Sequence, residues 1–423
     1  MSIIYDIITL LIITFYLPLY LLKGKFHKGF LARLGILPRG LNLAGAIWIH
    51  AVSLGEAVSV RGIYEGVKKE FPSKRVVFST VTLTGNKIAK GYCRGDDFVT
   101  FLPLDFSFLV RKFIKRIKPS VFIVAETEIW PNLISCLFQE KVPIIVINAR
   151  ISDSSFRGYK ALGMLIKPIL NKVTLFCAQS EEDARRLIVL GVEDKRIEVT
   201  GNVKFDAAKP LPLDFNFENY RRKLGLSKED KVFVAASTHP LEEAQILSAY
   251  KELMGDFPNL KLILAPRHTE RFGEIAALVK KCGFNPVGIN SLEGKKHNIS
   301  KGDIFVLDFI GQLVYYYAIA DVVFVGGSFV KTGGHNILEP AAQGKPVVFG
   351  PNMSNFRDIA DLFVKNHAGI QVKDSDELRN KIKILFKKPE LAVSLCRAAE
   401  ALILRNKGAV ARNLEYIKKH VNH

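Results

Sequence analysis

The sequence from Asp321 to Pro351, DVVFVGGSFVKTGGHNILEPAAQGKPVVFGP, reads as strand, glycine loop, helix and strand. Val322–Val325 is a short apolar run, mostly β-branched, as in a strand buried within a parallel sheet. Gly326 and Gly327 end it and let the backbone approach a ligand closely. Gly333 and Gly334 precede His335-Asn336-Ile337-Leu338-Glu339, which opens a helix through Ala341 and Ala342 that Gly344 stops. Pro346 to Phe349 is the next strand. The first amides of a helix have no partner within it, so this N-terminus suits a phosphate. Glu339, one turn in, can accept hydrogen bonds from two sugar hydroxyls. Together these residues describe a nucleotide-sugar site. A plainer reading also stands, in which Asn336 caps the helix of an ordinary glycine-rich connection and Glu339 serves its dipole.

The same rhythm extends outward through the chain. Strands are expected at Ala46–Ala51, Val76–Thr80, Phe98–Leu104, Val121–Glu126, Pro143–Ala149, Leu175–Gln179 and Glu198–Val203. Helical patterns such as Glu56–Glu70 and Pro131–Glu140 fill the gaps, the βαβ signature of a parallel, doubly wound sheet. Asp206 to Phe217, DAAKPLPLDFNF, has two prolines and little periodicity, and reads as a linker. The pattern then restarts at Val232–Ala236, Leu260–Ala265, Asn285–Ile289, Asp303–Leu307, Val322–Val325, Val347–Phe349 and Gly369–Val372. The expected fold class is α/β. Two Rossmann-like domains, 25–206 and 218–423, are joined by 207–217 and face a cleft. Ligands in such sheets bind off the C-terminal strand ends.

A chain of 423 residues is long enough for two hydrophobic cores. Its net charge of +19, from 60 basic and 41 acidic residues, favours an anionic partner. The basic residues are spread out, and no RNP-like, zinc-finger or basic-heptad pattern occurs, so nucleic acid is not the expected partner. Five scattered cysteines without CxxC fit a reduced, cytosolic state. The nine histidines form no HxH or HExxH, so no metal is expected. Ile7–Leu22 is sixteen residues without a charge, and extension back to Ser2 adds only Asp6. That is near the lower limit for a membrane span. Lys23, Lys25, His27, Lys28 and Arg33 follow, and no Lys or Arg precedes, which argues against a cleaved signal peptide. The expectation is a membrane-anchor helix over 1–24 with everything after it cytoplasmic. A core-docked or amphipathic helix is the competing reading, kept open by Pro18 and Asp6. FHKGFLARLGIL, 26–37, fits either a membrane-lying segment or a packed amphipathic helix.

Candidate chemistry collects at the expected strand ends. Glu56 starts a helix after His50-Ala51-Val52-Ser53-Leu54-Gly55. It can serve as a general base or simply complement the helix dipole, and spacing leaves both readings open. The Ser79–Gly85 hydroxyls cap a helix or line the cleft. Glu126 and Glu128 follow an apolar strand beside Trp130, where one suits the reaction and the other a cap for the helix at Pro131. Arg150 suits an anion. Lys204 ends the first half at the cleft, or is a solvated lysine. In the second half Pro266-Arg267-His268 ends a strand, and Arg267 offers a phosphate fork. Phe309-Ile310-Gly311-Gln312 suits a wall for a base. Convergence on one rim outweighs any single motif.

These motifs together resemble the 3-deoxy-D-manno-octulosonic acid (Kdo) transferases of lipopolysaccharide synthesis. The matching segments are HAVSLGE (50–56), STVTLTG (79–85), AETEIWPN (125–132), INARIS (147–152), AQSEEDARR (178–186), VTGNVKFD (199–206), APRH (265–268), FIGQL (309–313) and FVGGSFVKTGGHNILEPA (324–341). They run through nearly the whole chain in family order. The resemblance implies an inverting GT-B glycosyltransferase at the inner membrane, with its catalytic domains on the cytoplasmic side. It implies CMP-Kdo as donor, the acylated disaccharide bisphosphate precursor of lipid A as acceptor, and no cofactor. By motif position Glu56 would be the general base, with Glu126 and Lys204 stabilising the transition state. Pro266, Arg267, Ile310, Gly311, Gln312, Asn336, Ile337, Leu338 and Glu339 would hold CMP. One departure is Gln312, where many relatives carry Glu; a backbone contact survives that change and a carboxylate-specific role does not. CMP lacks the pyrophosphate that sugar transferases often manage with Mg²⁺, so Arg267 and the helix near Asn336 would neutralise it.

Overall fold

The computed structural model describes residues 5–7, 9–11, 14, 29–38, 40–212, 214–292 and 300–421. The chain divides into two compact units, Met1–Ala207 with Asn406–His423, and Ala208–Arg405. All fourteen strands expected from the sequence are present, with ends shifted by a few residues.

In the first unit the strands are β1 (Ile47–Ala51), β2 (Val76–Thr80), β3 (Phe98–Phe101), β4 (Val121–Ala125), β5 (Ile144–Ala149), β6 (Leu175–Ala178) and β7 (Ile197–Val199). They form one parallel sheet in the order β3-β2-β1-β4-β5-β6-β7. Strands β1, β2, β4, β5 and β6 are buried along their whole length, which explains their continuous apolar runs. Trp48 and Phe122 pack edge to face on one side of the sheet, while Ile49 and Phe78 belong to the core on the other. The expected helix over Glu56–Glu70 is two helices, Leu54–Ser59 and Arg61–Glu70, joined at Val60.

In the second unit the strands are β8 (Lys231–Thr238), β9 (Leu260–Pro266), β10 (Asn285–Gly288), β11 (Asp303–Val306), β12 (Val322–Val325), β13 (Val347–Phe349) and β14 (Ile370–Gln371). They also form a parallel sheet, ordered β10-β11-β9-β8-β12-β13-β14. Strand order reverses between β1 and β4 in the first unit, and between β8 and β12 in the second. A doubly wound sheet opens a crevice at such a point, because successive connections leave towards opposite faces.

One expectation is corrected and another finds no support. The sequence suggested that the second domain runs to His423; the helix Ala409–His420 instead packs on the first unit. Asp206 accepts hydrogen bonds from the Gly408 and Val410 amides, each at 2.6 Å, and Asn413 donates to Thr200 Oγ1 at 3.0 Å. Those partners are far apart in sequence, so no local pattern marks the return. The anchor helix over 1–24 is not supported: no helix among the described residues is long and apolar enough to cross a membrane. Most of Ile7–Leu22, and the basic residues Lys23, Lys25, His27 and Lys28, lie outside the described residues. Asp6 is bonded into the first unit through Ser107 and Asn132.

Candidate active site

In the first unit the reversal point brings Glu56 and Glu126 to neighbouring strand ends. β1 leads through Val52 and Ser53 into the helix Leu54–Ser59, and β4 ends at Ala125. Ser53 caps the helix and Glu56 completes a capping box. The Glu56 carboxylate accepts from Val52 N at 2.8 Å, Ser53 N at 3.2 Å and Ser53 Oγ at 2.7 Å. The capping reading of Glu56 therefore holds, and the same carboxyl also has an unusual electrostatic setting. Burial pushes its carboxyl up to about 7, with Glu126 and, less, Glu128 adding repulsion against the hydrogen bonds that favour the anion. Glu128 is raised as well, by burial and then by Glu126. A carboxylate has about four lone-pair sites, so the three bonds leave room for a substrate hydroxyl.

The backbone at these strand ends is bent. Glu126 and Asn148 have φ of 55° and 52°, which side chains other than glycine rarely adopt. The β5–β6 register shifts between Val146 and Ala149, around Asn148. Glu126 N donates to Ile147 O at 2.9 Å, and Arg150 N to Thr127 Oγ1 at 3.2 Å, so the Glu126 loop leans on the end of β5. Asn148 Oδ1 accepts from Val203 N at 3.1 Å, and Lys204 N donates to Asn202 Oδ1 at 3.0 Å. Lys204, at the start of the short helix Lys204–Ala207, is thereby tied to the same edge of the sheet.

In the second unit the reversal point lies between Thr238 and Gly326. Arg267 follows β9, is exposed, and is positioned by its amide on Thr238 O at 3.0 Å. The helix after the second glycine pair starts at Leu338, later than the sequence suggested, and runs only to Ala342. Asn336 supplies the reason: its Oδ1 accepts from Leu338 N at 3.0 Å while its Nδ2 donates to Glu339 Oε1 at 3.0 Å. Crowding raises the Glu339 pKa although its surface stays accessible, and Asn336 and Arg267 oppose that rise. Arg267, Asn336 and Glu339 thus belong to one cluster. Ile337 and Leu338 are buried beneath it. Ile310 is 84% exposed, and Gly311, at φ +93°, leads to Gln312, which precedes the helix Leu313–Ile319. Tyr317 of that helix feels the Glu339 charge, so the helix begun by Gln312 flanks the same cluster.

The glycine pair does something the sequence did not reveal. A Cβ on Gly326 would lie 2.8 Å from Ser237 O, so this glycine lets β12 and the end of β8 touch. Gly327, at φ +65°, turns the amides of Gly327, Ser328 and Phe329 onto the buried carboxylate of Glu242 at 2.6, 2.9 and 2.8 Å. Glu242 also accepts from His239 N at 2.9 Å. The amides read as approaching a ligand are filled from within. Sequence reasoning missed Glu242, which looks like any first-turn acid of the helix Glu242–Asp256. His239, at the end of β8, and His335 are both legible as strand- or loop-end residues, but their stacking, with Nε2 atoms 2.8 Å apart, is not. Burial holds His335 down to about 4, with Arg267 and His239 adding to the effect. Among the described residues no group of His, Cys, Asp and Glu could hold a metal ion.

Two doubly wound parallel α/β units, with the family models they match, make this a glycosyltransferase with a GT-B-like fold. Residues 28–207 match the family model described as 3-deoxy-D-manno-octulosonic-acid transferase (kdotransferase), and 216–401 match glycosyl transferases group 1. The chain belongs to the 3-deoxy-D-manno-octulosonic acid transferase family. It is 34% identical to the 3-deoxy-D-manno-octulosonic acid transferase of Haemophilus influenzae, over 89% of this chain and 87% of that one. The corresponding enzyme of Chlamydophila psittaci is 29% identical over 94% and 90%. Among solved structures, the UDP-GlcNAc 2-epimerase of Neisseria meningitidis bound to UDP-GlcNAc shares the fold, with a TM-score of 0.59, 13% identity, and coverage of 88% of this chain and 100% of that one.

Proposed function

We propose that this Kdo transferase moves Kdo from CMP-Kdo to the acylated disaccharide bisphosphate precursor of lipid A, with inversion. The observation that carries the reading is Glu56, a buried carboxyl with a pKa of about 7 at the crevice of the first sheet. A base poised there is ionised enough to accept a proton and basic enough to hold it. The acceptor oxygen attacks the anomeric carbon as Glu56 takes its proton, and the bond to the phosphate oxygen breaks. CMP leaves with the electron pair. Glu126 and Lys204 stabilise the charge that develops on the sugar and its carboxylate.

In this reading Pro266 and Arg267 hold the CMP phosphate, Ile310-Gly311-Gln312 packs against the base, and Glu339, steadied by Asn336, accepts from the ribose hydroxyls. Ile337 and Leu338 shape the backbone beneath. The Gln312 amide replaces a carboxylate without loss if its contact is made by the backbone. A basic protein suits an acceptor with two phosphates and acyl chains, so the enzyme works at the cytoplasmic surface of the inner membrane. The test incubates the protein with CMP-Kdo, generated in situ, and the acylated disaccharide bisphosphate, and weighs the lipid. A gain of one or more Kdo units is expected. An unchanged lipid from folded protein overturns the donor and acceptor assignment.

A further inference from the structure

The apolar N-terminal run contains a single charge, Asp6. Its carboxylate makes three directed hydrogen bonds within the first unit. Oδ1 accepts from Ser107 N at 3.0 Å and Asn132 Nδ2 at 2.6 Å, and Oδ2 accepts from Ser107 Oγ at 2.6 Å. Asn132 is 1% exposed and is gripped a second time: Nδ2 donates to Asp105 O at 2.7 Å and its amide to Asp105 Oδ2 at 3.1 Å. Leu133 N completes the grip on Asp105 Oδ1 at 2.8 Å. Two carboxylates from separate segments thus fix the first turn of the helix Pro131–Gln139.

That turn is the far end of the loop carrying Glu126 and Glu128. The near end is held by Glu126 N on Ile147 O. Between them Glu126 keeps a left-handed backbone that is unfavourable by about 1–2 kcal/mol for a side chain with a Cβ, so its conformation depends on both anchors. We propose that Asp6 is a positioning residue for the reaction: by clasping Ser107 and Asn132 it braces the far end of the Glu126 loop. This rests on the reading of Glu126 as a participant in transfer.

Full-length Asp6→Ala, with Ser107→Ala as a milder second variant, tests it. Hydrogen exchange at 126–133 should rise in both. For Asp6→Ala, kcat should fall roughly 10- to 100-fold, as expected when a reacting group is displaced by about an ångström. CMP affinity should stay at the wild-type value, and the loss of kcat should persist well below the thermal midpoint, which falls by the few degrees expected for the lost hydrogen bonds. The acidic limb of the rate profile should move to lower pH, because a displaced Glu126 repels the Glu56 anion less. Wild-type kcat in Asp6→Ala overturns the proposal, as does a loss of kcat with unchanged exchange at 126–133 or one that only tracks a loss of stability. Should Asp6→Ala not fold, Ser107→Ala decides by the same criteria. Absence of transfer by the wild type would instead count against the proposed function, while the exchange arm still reports on the clasp.

Discussion

Glu56 meets two demands with one carboxylate, closing a capping box and holding a proton near neutral pH. Glutamine can serve the box in its place, so Glu56→Gln should fold, bind CMP and lose transfer by several orders of magnitude in kcat. Glu56→Ala should in addition lose about 1 kcal/mol in denaturant unfolding, the usual worth of a cap. The pH dependence has a defined sign. Between the ordinary 4.5 and about 7 the folded protein binds more protons at Glu56 than the unfolded chain does. Its contribution to stability is therefore greatest below 4.5 and is lost as pH rises through 7. Activity runs the other way, and kcat/KM should climb through an acidic limb near pH 7. Glu126→Gln removes the second largest cause of the raised pKa, so that limb should shift to lower pH in a measured rate profile. A limb that stays in place would remove Glu126 from the electrostatics of Glu56.

At the scale of the element, the loops after β4, β5, β8 and β12 are shaped by backbone that strands ordinarily avoid. Ser237 has φ of 55°, and the β8–β9 register slips between Ala236 and Thr238, repeating the arrangement at Asn148. These kinks turn the next side chains out of the pleat. The glycine loop is then held by Glu242, and its removal should be felt as a structural loss. Glu242→Ala leaves four amides in a buried setting without their acceptor, and should cost about 3 kcal/mol or more in thermal or denaturant unfolding. Gly326→Ala should weaken CMP binding together with stability, because its methyl would force β12 away from Ser237. A variant with normal CMP binding and normal stability would contradict this account of the loop.

At the scale of the molecule, the chain leaves the first unit near Ala207 and returns to it at Asn406. Arg412 Nε donates to Thr200 O at 2.8 Å, and the helix Ala409–His420 contributes Ala409 and Ile417 to the core that contains β1 and β2. Truncation after Arg405 should therefore raise hydrogen exchange in Arg61–Glu70 and around Thr200 in the first unit, and leave β8, β9 and β12 protected. Loss of protection in the second unit alone would reverse that assignment.

By itself the sequence determined the repeating strand–helix rhythm, the two sheets and the positions at their ends, because buried parallel strands need continuous apolar runs that stop at polar or glycine residues. Glu56, Glu126, Arg267 and Glu339 were legible for the same reason: each stands where a strand or a first helical turn ends. Strand order is not written in any local pattern, so only the tertiary structure placed Glu56 and Glu126 on either side of one reversal point. It also decided the roles of Glu242, His239, Asp6 and the C-terminal helix. Each is defined by partners far away in the chain, such as Ser328 for Glu242, Asn132 for Asp6 or Thr200 for Asn413, and hydrogen bonds over such separations leave no period in the sequence. The raised pKa of Glu56 has the same origin, since burial and a neighbouring charge exist only once the sheet has formed.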